Sequence, residues 1–323
     1  MAVLTPGGAS SPPPESRRPG TRQRVLLVSR EEELDSLLAL RRVAAHLGEL
    51  AVTTDRSAEP PPVAALVCDD EVATVQLPAR GVPVVHLFSG GRGPEETGVA
   101  EVTGMAGMAG PALLWLHWPD WLPAAKPLGP GVRAAGTLAP VRTARDRNRT
   151  GALLLLSLWG VPDDEVRAFT DGPLRALVRA AADHAGHCDV VCDTGLAAVY
   201  SSLAAVSAPE AVGLHRAADV DVDALHAGSE VFLASPTLAA VGLAQARRAP
   251  LCFLPPLGAA QRALAERVRR VVPVPVAEGH AGKPLPYVPP ADALWQAVDI
   301  PGDDLRGAQR IARSLRQLSL APL

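Results

Sequence analysis

Residues 231–270 read VFLASPTLAAVGLAQARRAPLCFLPPLGAAQRALAERVRR, and they are the most informative part of the chain. Apolar runs at 231–234 and 251–254 have the length of buried strands, and turns that contain proline end both of them. Segments with helical character follow at 238–246 and 261–270. Strand, turn and helix therefore alternate twice, which predicts a βαβα unit with a parallel sheet.

The turn at Ser235 is the chemically interesting point of this unit. Ser235, Pro236 and Thr237 separate the first strand from the helix that follows it. The first amides of a helix have no partner within the helix, and the helix dipole favours negative charge at that end. Because hydroxyl groups lie beside such amides here, the turn is a candidate site for a phosphate.

The rest of the chain repeats this alternation of strands and helices. Apolar runs at 24–29, 50–53, 64–68, 82–87 and 113–117 predict the strands of a first unit, with a helix at 30–47, and a run at 153–156 opens a second unit. The sequence thus predicts an α/β protein with two Rossmann-like domains. The predicted boundaries are a disordered tail at 1–23, a first domain at 24–140, a linker at 141–150, a second domain at 151–302, and an amphipathic helix at 303–318 that packs back on the first domain.

Composition limits the range of functions. With 323 residues, of which 48% are hydrophobic, the chain can bury a large core, and its formal net charge of −3 argues against nucleic acid or an anionic membrane as partner. The four cysteines have no second ligand pair that would complete a zinc site, so we expect buried thiols, no metal site and a cytoplasmic protein. No segment has the pattern of a signal peptide or of a membrane span.

Two further motifs each allow two interpretations. Asp219, Asp221 and Asp223 alternate, which suits Mg²⁺ or Mn²⁺ if they share one face of a strand; we favour a polar loop whose Asp223 caps a helix at 224–227. The Gly-rich segment 89–110 is either a loop at the mouth of a cleft or a surface insertion, and it lacks the setting of a nucleotide-binding fingerprint.

The segment around Ser235 resembles the donor half of the GT-B glycosyltransferases. The resemblance rests on Ser235-Pro236-Thr237, on Arg248-Ala249-Pro250 before the second strand, on Leu254-Pro255-Pro256 after it, and on Gln261 in the next helix. It implies two Rossmann-like domains whose parallel sheets face each other across a cleft. It also implies a nucleotide-sugar co-substrate, a UDP-sugar by this resemblance, a small-molecule acceptor, and no metal or other cofactor.

The resemblance also implies which residues contact the donor. The strand at 153–156 ends at a turn with Ser157 and Gly160, where the family cradles the pyrophosphate. The nucleobase loop corresponds to the positions after the strand at 211–214. The implied donor-binding residues are Ser157, Gly160, His215, Arg216, Ser235, Thr237 and Gln261.

Glycosyl transfer also needs a base near the acceptor, and the first domain would supply it. Glu31, just after the first strand, is one candidate, and a solvated acid at a helix start is its alternative interpretation. His86, at the end of the fourth strand, is the other, and a hydrogen-bonded structural histidine is its alternative.

Within the GT-B group, residues 24–318 are similar to cytosylglucuronic acid (CGA) synthase and its relatives in actinobacterial natural-product pathways. This similarity implies transfer of glucuronic acid from a UDP-sugar to a nucleobase or another small acceptor, with Arg30 or Arg216 pairing with the sugar carboxylate. Three departures support a rival hypothesis. Pro236 replaces the glycine of the family's turn, Ala240 replaces a glutamate, and the turn after the strand at 153–156 has only Gly160 and carries the bulky Trp159, which could fill the corner. The rival is a catalytically inactive relative that binds a nucleotide or assists a partner enzyme.

Overall fold

The computed structural model describes residues 23–90, 112–124, 128, 131–204, 211–280, 282, 284–286, 288–298 and 305–320. The predicted tail, apart from Gln23, and the predicted Gly-rich segment, apart from Ser89 and Gly90, lie outside these residues. Within them the chain forms eleven strands and ten helices. None of the helices in these ranges combines the length and apolarity that a membrane crossing requires.

The first sheet has six parallel strands in the order β2-β1-β3-β4-β5-β6. Its elements are β1 (Arg24–Val28), α1 (Leu34–Ala44), β2 (Ala51–Thr53), β3 (Ala64–Cys68), α2 (Glu71–Ala79), β4 (Val84–Phe88), β5 (Ala112–Leu116) and β6 (Val132–Ala134). The strand order reverses between β1 and β3, and ligands of open α/β sheets bind outside the carboxyl ends of strands at such a point.

The second sheet has five parallel strands in the order β11-β10-β7-β8-β9. The strands of this sheet and the helices between and after them are β7 (Ala152–Leu156), α3 (Asp163–Asp171), α4 (Pro173–Ala185), β8 (Cys188–Cys192), α5 (Leu196–Leu203), β9 (Val212–Arg216), α6 (Val222–Gly228), β10 (Val231–Ala234), α7 (Leu238–Ala246), β11 (Cys252–Phe253), α8 (Gly258–Arg269) and α9 (Ala291–Trp295). The last helix of the chain is α10 (Gly307–Leu320). Every residue of β7 is buried, as expected for a parallel strand covered on both faces.

Two parallel sheets with alternating helices confirm the predicted fold class. The predicted helix at 30–47 is shorter than expected, because a turn in which the Glu33 N–H donates to the Arg30 carbonyl precedes α1. The last helix returns to the first lobe, where Ile311 and Leu315 pack with Val25 and Leu66.

The two lobes share part of their core. Leu34, Leu37 and Leu38 of α1 belong to the same buried cluster as Leu238 and Val241 of α7. Helix α1 therefore packs directly on α7, the helix that follows the turn at Ser235, and the two lobes are in contact at this point.

All four cysteines are buried and unbridged. Burial raises the pKa of Cys188, Cys192 and Cys252 to about 12, and it raises the pKa of Cys68 well above its ordinary value. Their thiols therefore stay protonated near neutral pH.

Candidate functional site

The N-terminus of α7 faces the other lobe and binds a carboxylate there. Thr237 is the N-cap residue, and its hydroxyl oxygen accepts from the Ala240 N–H at 3.2 Å. The Leu238 and Ala239 N–H groups donate instead to Asp35 of α1, at 3.3 and 2.7 Å. Asp35 is 7% exposed. The turn that the sequence predicts as a phosphate site therefore holds the carboxyl group of the chain's own Asp35.

Replacing Thr237 by valine is expected to lower the free energy of unfolding by about 1 kcal/mol, because the Ala240 N–H loses its capping oxygen. Chemical denaturation monitored by circular dichroism measures this change. Thr237→Ser keeps the oxygen and serves as the matched control, with an effect well below that of valine. Equal stability of the valine variant and the wild type would show that the cap contributes nothing.

The turns after β7 and β10 lie against each other. The Ser157 N–H donates to the Ser235 hydroxyl oxygen at 3.0 Å, and the Gln261 amide NH₂ donates to the Ser157 carbonyl at 2.7 Å. The side-chain oxygen of Gln261 accepts from the Leu257 N–H at 3.1 Å. The structure therefore brings Ser157, Ser235, Thr237 and Gln261 together at one corner.

Asp193, which directly follows β8, fills the turn after β7. Its carboxylate accepts from the Leu158 N–H at 2.8 Å, the Thr194 N–H at 2.7 Å and the Ser157 hydroxyl at 2.7 Å. It also accepts from the Leu34 N–H at 3.3 Å, which belongs to the first residue of α1 in the other lobe. Each lobe therefore supplies an aspartate to a helix N-terminus of the other: Asp193 to α1, and Asp35 to α7.

The remaining predicted donor residues lie elsewhere. His215 and Arg216 were expected in a loop, but they are the last residues of β9, where they pair in register with Val191 and Cys192 of β8. The His215 ring contacts Asp189 at 2.9 Å. Gly160 is exposed with φ of 68°, and the neighbouring Trp159 is 43% exposed, so this indole does not fill the corner.

The two predicted bases have different surroundings. The Glu31 side chain is 62% exposed and lies 3.5 Å from Arg216 of the second lobe, so it is a surface partner of another predicted site residue. His86 is fully buried in β4, its Nδ1 contacts the Thr74 hydroxyl, and its Nε2 has no partner among the described residues. Burial lowers the pKa of His86 to about 4. Its surroundings are those of the structural alternative.

Three carboxylates that sequence reasoning missed lie at the reversal of strand order in the first sheet. Asp69 follows β3 with φ of 56° and accepts from the backbone N–H and the hydroxyl of Ser89. Burial, with the nearby charges of Asp69 and Asp35, raises the pKa of Glu33 to about 8, and burial raises the pKa of Asp35 to about 7. Burial also raises the pKa of Asp69. One signal was available, because acids cluster just after the first and third strands.

These carboxylates should make the protein less stable as the pH rises from about 6.5 to about 8. The folded-state pKa values of Glu33 and Asp35 lie above their ordinary values, so the folded state holds more protons than the unfolded state in this window. The free energy of unfolding then falls with rising pH. Below about 6.5 the lowered pKa values of the buried His86 and His226 act in the opposite direction.

Denaturation of Glu33→Gln at a series of pH values tests this dependence. Its decline between pH 6.5 and 8 should be shallower than that of the wild type, because one titrating group is gone. Glu32→Gln, at the exposed neighbouring position, should follow the wild type. A wild-type stability that rises across the window would contradict the expectation.

The Asp-x-Asp-x-Asp motif has neither the predicted cap nor the metal geometry. Asp221, rather than Asp223, caps α6 by accepting from the Ala224 N–H at 3.0 Å. Asp223 pairs with Arg42 of α1, at 2.7 and 3.1 Å. Among the residues that the structure describes, no group of three or more His, Cys, Asp or Glu side chains is placed to hold a metal ion.

A family model described as CGA synthase-related protein matches residues 25–323. None of the curated proteins matches the sequence. Among solved structures, the chain is similar to the glycosyltransferase SnogD from Streptomyces nogalater, with 14% identity over 92% of this chain and 96% of that chain and a TM-score of 0.44. It is also similar to TcCGT1 in complex with UDP (12% identity, 92% and 94% covered, TM-score 0.46) and to the spinosyn rhamnosyltransferase SpnG with thymidine diphosphate (15% identity, 92% and 96% covered, TM-score 0.43).

Proposed function

The chain belongs to the CGA synthase-related protein family, and on this ground we propose that it transfers a sugar from a nucleotide-sugar to a small acceptor. The finer form of the proposal is UDP-glucuronic acid as donor and a nucleobase or another small natural product as acceptor. Such a protein would work in the cytoplasm, without a metal ion.

The observation that supports the proposal best is the anion bound at α7. Two backbone amides there hold the two oxygens of the Asp35 carboxylate, at 2.7 and 3.3 Å. A phosphate of a nucleoside diphosphate offers the same pair of oxygens to the same donors. When the bond from the sugar C1 to the diphosphate oxygen breaks, the electron pair stays on the diphosphate, and these amides would stabilise the charge.

The base is best assigned to Glu33. Its side chain is 15% exposed, it lies at the carboxyl edge of the first sheet, and its raised pKa of about 8 makes its ionised form a stronger base than an ordinary carboxylate. That ionised form becomes the major one only above about pH 8. It would remove the proton from the acceptor nitrogen or oxygen as that atom attacks C1. Glu31 and His86 remain alternative candidates for this role. We propose Arg30, whose guanidinium lies 3.5 Å from the Glu33 carboxylate, or Arg216 as the partner of a sugar carboxylate.

Titration calorimetry with UDP, UDP-glucuronic acid, UDP-glucose and thymidine diphosphate tests donor binding. We expect heat with at least one uridine nucleotide, and release of UDP when a cytosine-type acceptor is added. Glu33→Gln should lower the transfer rate by about a hundredfold or more and leave UDP affinity unchanged. Glu32→Gln is the matched control at an exposed position. A fully active Glu33→Gln would remove this residue from the proposal.

A second candidate is the catalytically inactive relative that binds a nucleotide or assists a partner enzyme. The observation in its favour is that the chain's own carboxylates fill both phosphate turns, Asp35 at α7 and Asp193 after β7. Absence of heat and of any thermal shift with all four nucleotides, in the wild type and in variants that free the α7 turn, would favour this candidate.

A further inference from the structure

We call the contact between Asp35 and α7 the latch, because it occupies backbone amides for which an external phosphate would have to compete. Asp35 arrives from α1 in one lobe, 204 residues away in sequence from Ala239, whose N–H it accepts at 2.7 Å in the other lobe. It uses both of its oxygens, so the first two amides of α7 are fully engaged. An external phosphate that needs those amides finds them occupied.

Gly90 lies directly against the Asp35 side chain. A Cβ atom at position 90 would lie 2.0 Å from one Asp35 carboxylate oxygen and 2.4 Å from the Asp35 Cβ and Cγ atoms. Since the clash includes atoms near the Asp35 backbone, rotation of the carboxylate alone cannot relieve it. Glycine at this position is thus a condition for the contact.

The contact between Asp35 and α7 is one of several contacts that α1 makes with the second lobe. The Leu34 N–H at the start of α1 donates to Asp193 of the second lobe at 3.3 Å. About two turns further along α1, Arg41 donates to the carbonyls of Ala217 and Val220 at 2.9 and 2.7 Å. A displacement of Asp35 that moves α1 away from the second lobe would therefore also break these contacts.

We propose that Asp35 is an internal competitor of the donor diphosphate, so that the protein alternates between a closed form, with Asp35 on the α7 amides, and an open form that binds the nucleotide. The proposal deepens the proposed function and rests on it for the identity of the ligand. The closed form lowers the apparent affinity for nucleotide by the fraction of molecules that are open. Removing the carboxylate removes that competition.

UDP affinity measured by calorimetry in the wild type, Asp35→Asn, Asp35→Ala and Gly90→Ala tests the competition. If the closed form dominates, the three variants should bind UDP about tenfold to a hundredfold more tightly than the wild type. Gly90→Ala is informative because it expels Asp35 without altering the carboxylate. Asp183→Asn, at an exposed aspartate of α4, is the matched control and should bind as the wild type does. Uridine, which has no phosphate, should show no gain in any variant.

Hydrogen exchange and small-angle scattering report the opening without nucleotide. The Leu238 and Ala239 amides should be protected in the wild type and lose protection in Asp35→Ala and Gly90→Ala, with an increase in the radius of gyration. Thermal unfolding confirms that each variant is folded, and the near-isosteric Asp35→Asn remains available if another variant unfolds.

The outcomes separate the two proposals. Equal UDP affinity in the wild type and all three variants, with UDP bound, overturns the latch and leaves the glycosyltransferase proposal standing. Amides that lose protection while no variant binds any nucleotide support the latch as a conformational contact but overturn the donor as its competitor, together with the proposed function. Amides that stay protected in Gly90→Ala overturn the latch directly.

Discussion

Replacing Arg42 by alanine is expected to lower the free energy of unfolding by about 3–5 kcal/mol, as is typical when one partner of a buried ion pair is removed. Arg42 is 2% exposed and donates to both oxygens of Asp223, at 2.7 and 3.1 Å. It also donates to the Leu138 carbonyl at 2.9 Å. The alanine variant leaves the carboxylate and this carbonyl without their donor, and it opens a cavity between α1 and α6.

Denaturation by urea measures this loss, and two variants give its controls. Arg42→Lys restores the charge but cannot reproduce the planar, bidentate contact, so its loss should be intermediate. Arg313→Ala removes an exposed arginine from α10 and should change stability by less than about 0.5 kcal/mol. An Arg42→Ala variant as stable as Arg313→Ala would mean that the pair adds nothing to the folded state.

Asp193→Ala is expected to cost about 3 kcal/mol of stability, since each buried donor left without a partner costs about 1–3 kcal/mol. The side chain is 2% exposed and satisfies three backbone N–H groups and one hydroxyl. Two of those N–H groups lie in the candidate donor corner, and the third begins α1. The loss should therefore appear in global stability and as faster hydrogen exchange at Leu34, Leu158 and Thr194.

Asp193→Asn separates shape from charge in the same measurement. The amide keeps one acceptor oxygen, so we expect about half the loss of the alanine variant. Faster exchange confined to Leu158 and Thr194, with Leu34 unchanged, would show that the contact between the lobes does not depend on Asp193.

The sheets were predictable because parallel strands buried on both faces are almost wholly apolar. The runs at 64–68, 153–156 and 231–234 were identified as strands for that reason, and they form β3, most of β7 and β10. The corner of Ser157, Ser235, Thr237 and Gln261 was predictable from its resemblance to a family pattern. The start of α7 also follows from local sequence, because its N-cap residue Thr237 accepts from the N–H of Ala240, only three residues further along the chain.

The carboxyl group that occupies the α7 amides, that of Asp35, was not predictable from sequence in the same way. Asp35 lies on a helix among other acids, and its single partner element is 203 residues away. Nothing local distinguishes it from Glu31, which is exposed, or from Glu33, which is half-buried. The prediction that His215 lies in a loop was wrong for a related reason. The end of a strand depends on its pairing with a neighbouring strand, and β9 stays paired with β8 as far as Arg216.

The inert thiols of this protein make it suitable for distance measurements between its halves. A thiol reagent needs a thiolate, and the four native thiols are both buried and protonated near neutral pH. Val72→Cys and Tyr200→Cys would place single reactive groups on exposed positions of the first and second lobes, which are 61% and 67% exposed. A dye pair attached there would report lobe separation in individual molecules, with no background labelling to remove first.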